Sequence, residues 1–330
     1  MLDGENCQSV FDVCTSCHDG SEAVLMDDAT KTNVLVVGAG ISGSAAARTL
    51  QQHGVSVTLV DKGRGAGGRL SSRRTTVGRF NHGAPDFEVK TERFTDYVVR
   101  WCTQGLLERT VHLHGLRYHS PTAMNALVKH VQRDLAVSFK TRVLRLTRER
   151  TQWIAETDQG DLGGFSHVVL AIPAPQALAL IPPNSTTYAP TSEILYQPAW
   201  VVMMTMERAL PVLPDGDLIG RVTENEGGVC VYLTAEASAR YLENSAEEVI
   251  ELVSARLDAK PIFAAAHRWR YSQVVRGVNS AYLYDDDLQL SVCGDGFGGA
   301  GVESSFLSGL SIAQRLVEAC LLYTSPSPRD

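Results

Sequence analysis

One βαβ-sized stretch near the start of this chain constrains the fold more than anything else in it. Val34-Leu35-Val36-Val37 is a continuous β-branched and apolar run, the pattern of a strand buried on both faces. Gly38-Ala39-Gly40-Ile41-Ser42-Gly43 follows at once, then a helix-forming stretch, Ser44–Gln52, ended by Gly54. A second strand, Val55–Val60, stops at Asp61-Lys62. Each piece has a physical role in holding a dinucleotide. Gly38 permits the tight turn, Gly40 lets backbone approach a pyrophosphate, and Gly43 lets helix and strand pack closely. The helix start, at Ile41-Ser42, offers unpaired N–H groups and a partial positive charge to phosphate. Asp61 can accept hydrogen bonds from an adenosine ribose.

The fingerprint alone does not choose between FAD and NAD, and the residues after it are more informative. Lys62-Gly63-Arg64-Gly65-Ala66-Gly67-Gly68-Arg69-Leu70-Ser71-Ser72-Arg73 is glycine-rich and basic. Such a loop can wrap a diphosphate with backbone donors and a fork-shaped guanidinium. Near the other end, Leu288–Val292 reads as a strand running into Cys293-Gly294-Asp295-Gly296-Phe297-Gly298-Gly299, with a helix from about Val302.

Taken together these segments resemble the renalase-type members of the FAD-dependent amine-oxidase-like flavoproteins, over most of 32–319. Met124-Asn125-Ala126-Leu127 and Ala266-His267-Arg268-Trp269-Arg270-Tyr271 match as well. The resemblance implies an α/β fold, with a Rossmann-type FAD-binding domain and a discontinuous α+β substrate domain of the amine oxidase or p-hydroxybenzoate hydroxylase kind. The FAD-binding domain is then 32–87, 136–185 and 286–319, and the substrate domain 88–135 and 186–285. FAD is expected to bind without a covalent link, its diphosphate on Gly38, Gly40, Gly43, Gly67, Gly68 and Arg69. Asp61 takes the ribose, Val143 the adenine, and Gly294 and Asp295 the diphosphate and ribityl chain. The helix opening at Val302-Glu303 aims its N-terminus at the flavin's pyrimidine edge, where negative charge collects on reduction. One departure is visible: relatives tend to follow the Arg-rich loop with an aspartate, His-Gly-Ala-Gln and an aromatic. Here the run is Asn81-His82-Gly83-Ala84-Pro85-Asp86-Phe87.

The function implied is an oxidase taking hydride from a reduced nicotinamide nucleotide, particularly mis-reduced NAD(P)H isomers, and passing it through flavin to O2. His82, His267, Trp269 and Tyr271 are the candidate pocket residues, since aromatic rings can sandwich a planar nicotinamide. The rivals are an amine oxidase or desaturase on the same scaffold, a flavin-binding protein without turnover, and an electron-transfer fusion carrying haem.

That last rival comes from Cys14-Thr15-Ser16-Cys17-His18, a haem c attachment string within residues 1–31. No export signal precedes it, and residues 1–31 read as a tail or upstream fragment, the body starting near Met26. At the other end, Cys320–Asp330 breaks the final helix pattern and is read as a non-native tail. The net charge of −7 belongs to residues 1–30, which hold seven acids and no Lys or Arg. The body is therefore electroneutral and has no field to attract nucleic acid or acidic membranes. The longest apolar run, Val168–Ile181, is interrupted by Pro173 and Pro175 and is too short to span a bilayer. Cys102, Cys230, Cys293 and Cys320 are scattered, as buried thiols in a reducing, cytoplasmic setting are. Met203-Met204-Met206 reads as core filling, and His112, His114 and His119 as histidines of a loop-prone stretch with no acid beside them, so no metal is expected.

Overall fold

The apolar runs singled out above are the inner strands of a six-stranded sheet in the computed structural model, which describes residues 32–112, 115–207 and 216–324. Across that sheet the order is Leu283–Asp285, Leu290–Val292, His167–Leu170, Asn33–Val37, Ser56–Asp61 and Val137–Phe139. All neighbours are parallel except the first pair. Val34, Leu35 and Val36 are completely buried because helices or strands cover both faces, which is why this strand carries no polar alternation. The Cys14–His18 motif, Met26, His114 and the residues after Thr324 lie outside the described residues.

One face is covered by the helices Ile41–Gln52 and Val302–Thr324, which share a core with Ala46, Ala47, Leu50, Ile312 and Leu316. Small residues make the contact possible: a Cβ on Gly309 would lie 2.0 Å from the Ser42 carbonyl oxygen. The other face carries a three-stranded antiparallel sheet, Val143–Glu149, Gln152–Thr157 and Leu162–Phe165, whose Trp153 is fully buried. Helix Glu92–Thr103, started by the Thr91 hydroxyl accepting from the Phe94 N–H, packs Phe94, Val98 and Trp101 against Ile41, Ala45 and Phe306.

A second, antiparallel sheet has the order Ile219–Asn225, Gly228–Leu233, Leu195–Met206, Pro261–Arg276. Its alternation separates two faces. Trp200, Val202, Met204, Val231 and Leu233 pack with Val249 and Val253 of helix Ala246–Arg256. Val201, Met203 and Cys230 instead meet Phe80, from a short ribbon formed by Arg73–Thr75 and Gly78–Phe80. Met203 and Met204 thus fill two different cores and are fully buried, as their core-filling reading requires. Cys230 and Cys293 are buried free thiols and Cys102 is half-buried.

Two sequence expectations need correction. The stretch around His112 and His119 is a hairpin, Glu108–His112 with Gly115–His119, and not a loop. Thr110 and Val111 favour extended backbone, and Gly115 takes the positive φ of +119° at the turn. His119 also has an acid beside it, Glu108, at 4.0 Å. Among the described residues no three His, Cys, Asp or Glu side chains come together as a metal site. The final helix does not break at Cys320 but runs to Thr324. Leu321, Leu322 and Tyr323 are compatible with helix, and the first breaker is Pro326. Among the described residues no helix is long and apolar enough to cross a membrane.

Candidate cofactor and substrate site

The glycine loop lies at the carboxyl end of the first strand, where an open parallel sheet offers its crevice. Gly38, at φ +104°, has no room for a side chain: a Cβ would fall 2.6 Å from the Ala171 carbonyl oxygen. Gly43 is tighter still, its Cβ falling 1.9 Å from the Gly38 carbonyl oxygen. Gly40 is the opposite case. Its Cβ would meet nothing within 4 Å, so protein packing does not explain the glycine, and the space in front of it is open to a ligand. Gly294, at φ +147°, faces open space in the same way.

Residues far apart in sequence converge on this loop. Gly68 approaches it so closely that its own Cβ would sit 3.2 Å from the Gly40 Cα. Arg69, next along, forms a bidentate ion pair with Asp295, the Nη2 to Oδ1 contact being 2.7 Å. Burial alone would suppress the Arg69 charge, but Asp295 and then Tyr196 more than restore it and raise its pKa. The guanidinium also lies over the Tyr196 ring, 5.6 Å from its centroid. The Gly-Gly-Arg segment and the late Gly-Asp segment, assigned separately from the sequence, are thus one unit.

Asp61 is engaged on both carboxylate oxygens. Oδ2 accepts from the Ala39 N–H at 2.7 Å and Oδ1 from the Gly63 N–H at 2.6 Å. These bonds clamp the glycine loop and the basic loop, leaving each oxygen a further lone pair to turn outward. Lys62 donates to Gln176. Ile41 is buried in the helix core, and the Ser42 hydroxyl bonds the Cys293 thiol. Val143 is buried against Val60 and Leu146. At the start of the last helix, Val302 is buried and Glu303 accepts from the Lys90 N–H through Oε2 at 2.6 Å. The other Glu303 oxygen, Oε1, is buried with no hydrogen-bond partner, a costly state that points to a missing donor.

Beside this cradle the structure assembles three of the four candidate pocket residues. The ring centroids of His82 and His267 are 4.9 Å apart, those of His267 and Trp269 4.2 Å, and those of His82 and Trp269 5.7 Å. Trp269 Nε1 donates to the His82 carbonyl at 2.9 Å. His267 and Trp269 share a face of the second sheet because strand side chains alternate. Tyr271 leaves the group. Strand pairing shifts between Gln197 and Ala199, at Pro198, which has no N–H to give the ladder. Tyr271 instead meets the Tyr196 ring at 5.9 Å, and its carbonyl accepts from Arg69 at 3.4 Å.

The two histidines are uncharged at neutral pH. Burial first, then the nearby His267 and Arg73 charges, hold the His82 pKa down to about 4, only partly offset by the Phe80 backbone. Burial and then Arg73 lower His267 as well. His82 Nδ1 is buried without a partner. The buried His167, remote from this cluster, is pushed down to about 4 by desolvation too. A histidine whose folded pKa lies below its unfolded 6.5 contributes stability above pH 6.5 and loses it as pH falls toward about 4. His82 and His167 together are expected to remove roughly 3 kcal/mol each across that window. Thermal unfolding from pH 7 to 4 checks this, since His82→Gln should make the loss of stability with falling pH measurably shallower; an unchanged slope would sink it.

Sequence reasoning singled out Pro85 and Asp86 only as departures and missed Arg117, Arg221 and Tyr232, which shape this region. Asp86 is buried and accepts from both Arg117 and Arg221, tying the Pro85 loop to the hairpin and to the second sheet. Burial by itself would raise the Asp86 pKa, but hydrogen bonds from Arg221 and then Arg117 outweigh it and lower it. The Tyr232 hydroxyl donates to the carbonyls of Asn81 at 2.8 Å and Gly83 at 2.9 Å, fixing the chain on either side of His82. Pro85, Arg221 and Tyr232 line a cavity of about 230 Å³ with Ala199, Leu233 and Ser272. These contacts join positions more than thirty residues apart, and no local pattern announces them.

A family model described as an NAD(P)-binding Rossmann-like domain matches residues 36–101. Renalase of Mus musculus is 24% identical over 348 aligned positions, which take in 86% of this chain and 98% of the relative. Among solved structures, one from Exiguobacterium sp. 255-15, provisionally a protoporphyrinogen oxidase, has a TM-score of 0.70 at 12% identity, covering 87% of this chain and 99% of that one. Cyclohexylamine oxidase from Brevibacterium oxydans IH-35A has a TM-score of 0.62 at 11% identity, over 88% and 99% of the two chains. A CLA-producing fatty acid isomerase from P. acnes reaches 0.66 at 12% identity, over 87% and 99%. The chain shares its fold with these solved structures. The six-stranded, mostly parallel sheet with its glycine loop is the Rossmann-like part of that fold, and residues 36–101 contain all of the first loop and the Gly-Gly-Arg segment.

Proposed function

We propose that this protein is an FAD-dependent oxidase that removes hydride from a reduced nicotinamide nucleotide and delivers the electrons to O2. The overall change is reduced nucleotide plus O2 and one proton giving the oxidised nucleotide and H2O2. The observation that carries the reading is the meeting of 38–43, 67–69 and 294–295, with Gly40 and Gly294 open to a ligand and Arg69 locked to Asp295. That cradle, with an unpartnered Glu303 oxygen at the last helix, fits the diphosphate and polar ring edge of noncovalently held FAD.

Bound FAD supplies the hydride acceptor and the path to O2. The chain's own residues do the rest. Gly38, whose N–H is held by the Val60 carbonyl, and Gly43 let the loop turn tightly onto the helix, so that the open face of Gly40 and the helix N-terminus would meet the diphosphate, and Asp61 would accept from the ribose. Val302 and Glu303 begin the helix whose positive end favours charge on the reduced ring. His82, His267 and Trp269 form a wall of uncharged rings against which a planar nicotinamide can stack while water is excluded. On this reading the first sheet holds the cofactor and the second sheet, with Tyr271 at its edge, faces substrate.

The fold alone would serve an amine oxidase or an isomerase equally well, so substrate must be tested directly. The visible spectrum of the purified protein should show flavin bands. Anaerobic addition of isomeric NADH should bleach them, and air should restore them with about one H2O2 per turnover. Bands that ignore the isomer but bleach with amines would replace this reading with amine oxidation. A haem band would assign the Cys14–His18 motif a cofactor of its own.

A further inference from the structure

The charges around the His82 wall are nearly all spent on one another. Asp295 is taken by Arg69, Asp86 by Arg117 and Arg221, and Glu88 by Arg117. Arg73 is different. Among the described residues its side chain has no ion pair or hydrogen bond, and it is exposed.

Its direction follows from the ribbon it lies in. Arg73 is directly opposite Phe80 in the antiparallel pair, so the two side chains leave the same face. Phe80 on that face stacks on Phe263 at 5.8 Å. Phe263, Ala265, His267 and Trp269 are alternate residues of one strand, paired without a break to Thr205, Met203, Val201 and Ala199. Arg73 therefore projects toward the same sheet face that carries His267 and Trp269. Its neighbours Arg74 and Arg79 pair on the opposite face, where Arg79 donates to the Thr122 carbonyl. The coupling is also felt electrically, since the Arg73 charge lowers the pKa of both His82 and His267.

We propose that Arg73 is the anion-recognising residue of the substrate site, taking a phosphate of the nucleotide whose nicotinamide rests against His82, His267 and Trp269. This rests on the reading of the substrate given above and adds the part of it that the protein grips. An arginine left unpaired beside two neutral histidines keeps its full charge for a ligand, and a guanidinium matches phosphate in bidentate fashion. The same charge repels an ammonium group, so protonated amines are disfavoured there.

The test uses the FAD-loaded protein and two substitutions at Arg73. With isomeric reduced nicotinamide mononucleotide, Arg73→Gln should raise KM about tenfold and leave kcat nearly unchanged, the signature of lost uniform binding. With the corresponding reduced riboside, which has no phosphate, the variant and the parent should perform alike. Arg73→Lys should recover part of the loss for the nucleotide. Equal losses on nucleotide and riboside would overturn the proposal, because Arg73 would then support the wall and not the phosphate. Calorimetric titration with inorganic pyrophosphate gives a readout independent of turnover: binding should be lost in Arg73→Gln. If no nicotinamide compound is oxidised yet pyrophosphate binding depends on Arg73, the anion site stands and the oxidase reading falls. Pyrophosphate binding unaffected by Arg73→Gln would remove the site itself.

Discussion

Gly40→Val is expected to give a folded, colourless protein. Gly40 has φ −72° and ψ −174°, backbone that any residue adopts, and a Cβ there meets no protein atom within 4 Å. The substitution should cost the apo-protein only ~1 kcal/mol, chiefly because valine is a poor helix N-cap. The valine methyls would instead occupy the space through which the loop's N–H groups reach a diphosphate. FAD affinity should fall by at least about a hundredfold, equivalent to roughly 3 kcal/mol. Gly43→Ala is the contrasting variant. Its Cβ would lie 1.9 Å from the Gly38 carbonyl oxygen, so backbone must move. It should destabilise the protein with or without FAD, by the ~1–3 kcal/mol or more of an overpacked core. FAD titration and thermal unfolding of both variants separate the two roles. Gly40→Val protein that stays yellow would mean the open space is not the diphosphate site.

That contrast shows how unevenly the sequence spoke. The first strand, glycine loop, helix and second strand were legible because every constraint on them is local: continuous apolar residues, a turn, a cap and an acid within one βαβ unit. The roles of Gly38, Gly40 and Gly43 differ only through what lies opposite, namely Ala171, open space and Gly38 itself. The trio of His82, His267 and Trp269 was reachable through resemblance to known flavoproteins, but its geometry depends on a strand pairing across the second sheet. Tyr271 departs from the trio because of Pro198, on another strand, a coupling invisible from position 271 alone. Asp86 illustrates the limit best. Against the pattern that the sequence resemblance implies it is a departure, yet in the fold it joins two arginines from separate elements and anchors the loop that carries His82. A buried carboxylate is stable there because the arginines answer its charge, and single-residue patterns cannot express that.

Asp295→Ala should be among the most damaging single changes away from the apolar cores. It strips Arg69 of its bidentate partner and leaves only two long contacts, to the carbonyls of Tyr271 and Ser272 at 3.4 Å, and the face of Tyr196. Removing one partner of a largely buried ion pair typically costs ~3–5 kcal/mol, because the remaining charge stays desolvated. For a body of this size that is a fall in Tm of roughly 5–8 °C. Stability alone would not tell a structural pair from one that serves a ligand. The double variant Arg69→Met, Asp295→Leu does, since replacing both charges with apolar groups of similar volume is often neutral or stabilising. If the pair only fastens the Gly-Gly-Arg segment to the end of the sheet, the double variant should recover both Tm and flavin. If Arg69 and Asp295 also orient the diphosphate, as proposed, it should recover Tm while FAD affinity remains at least about tenfold weaker. A double variant that binds FAD like the parent would confine the pair to holding the fold together.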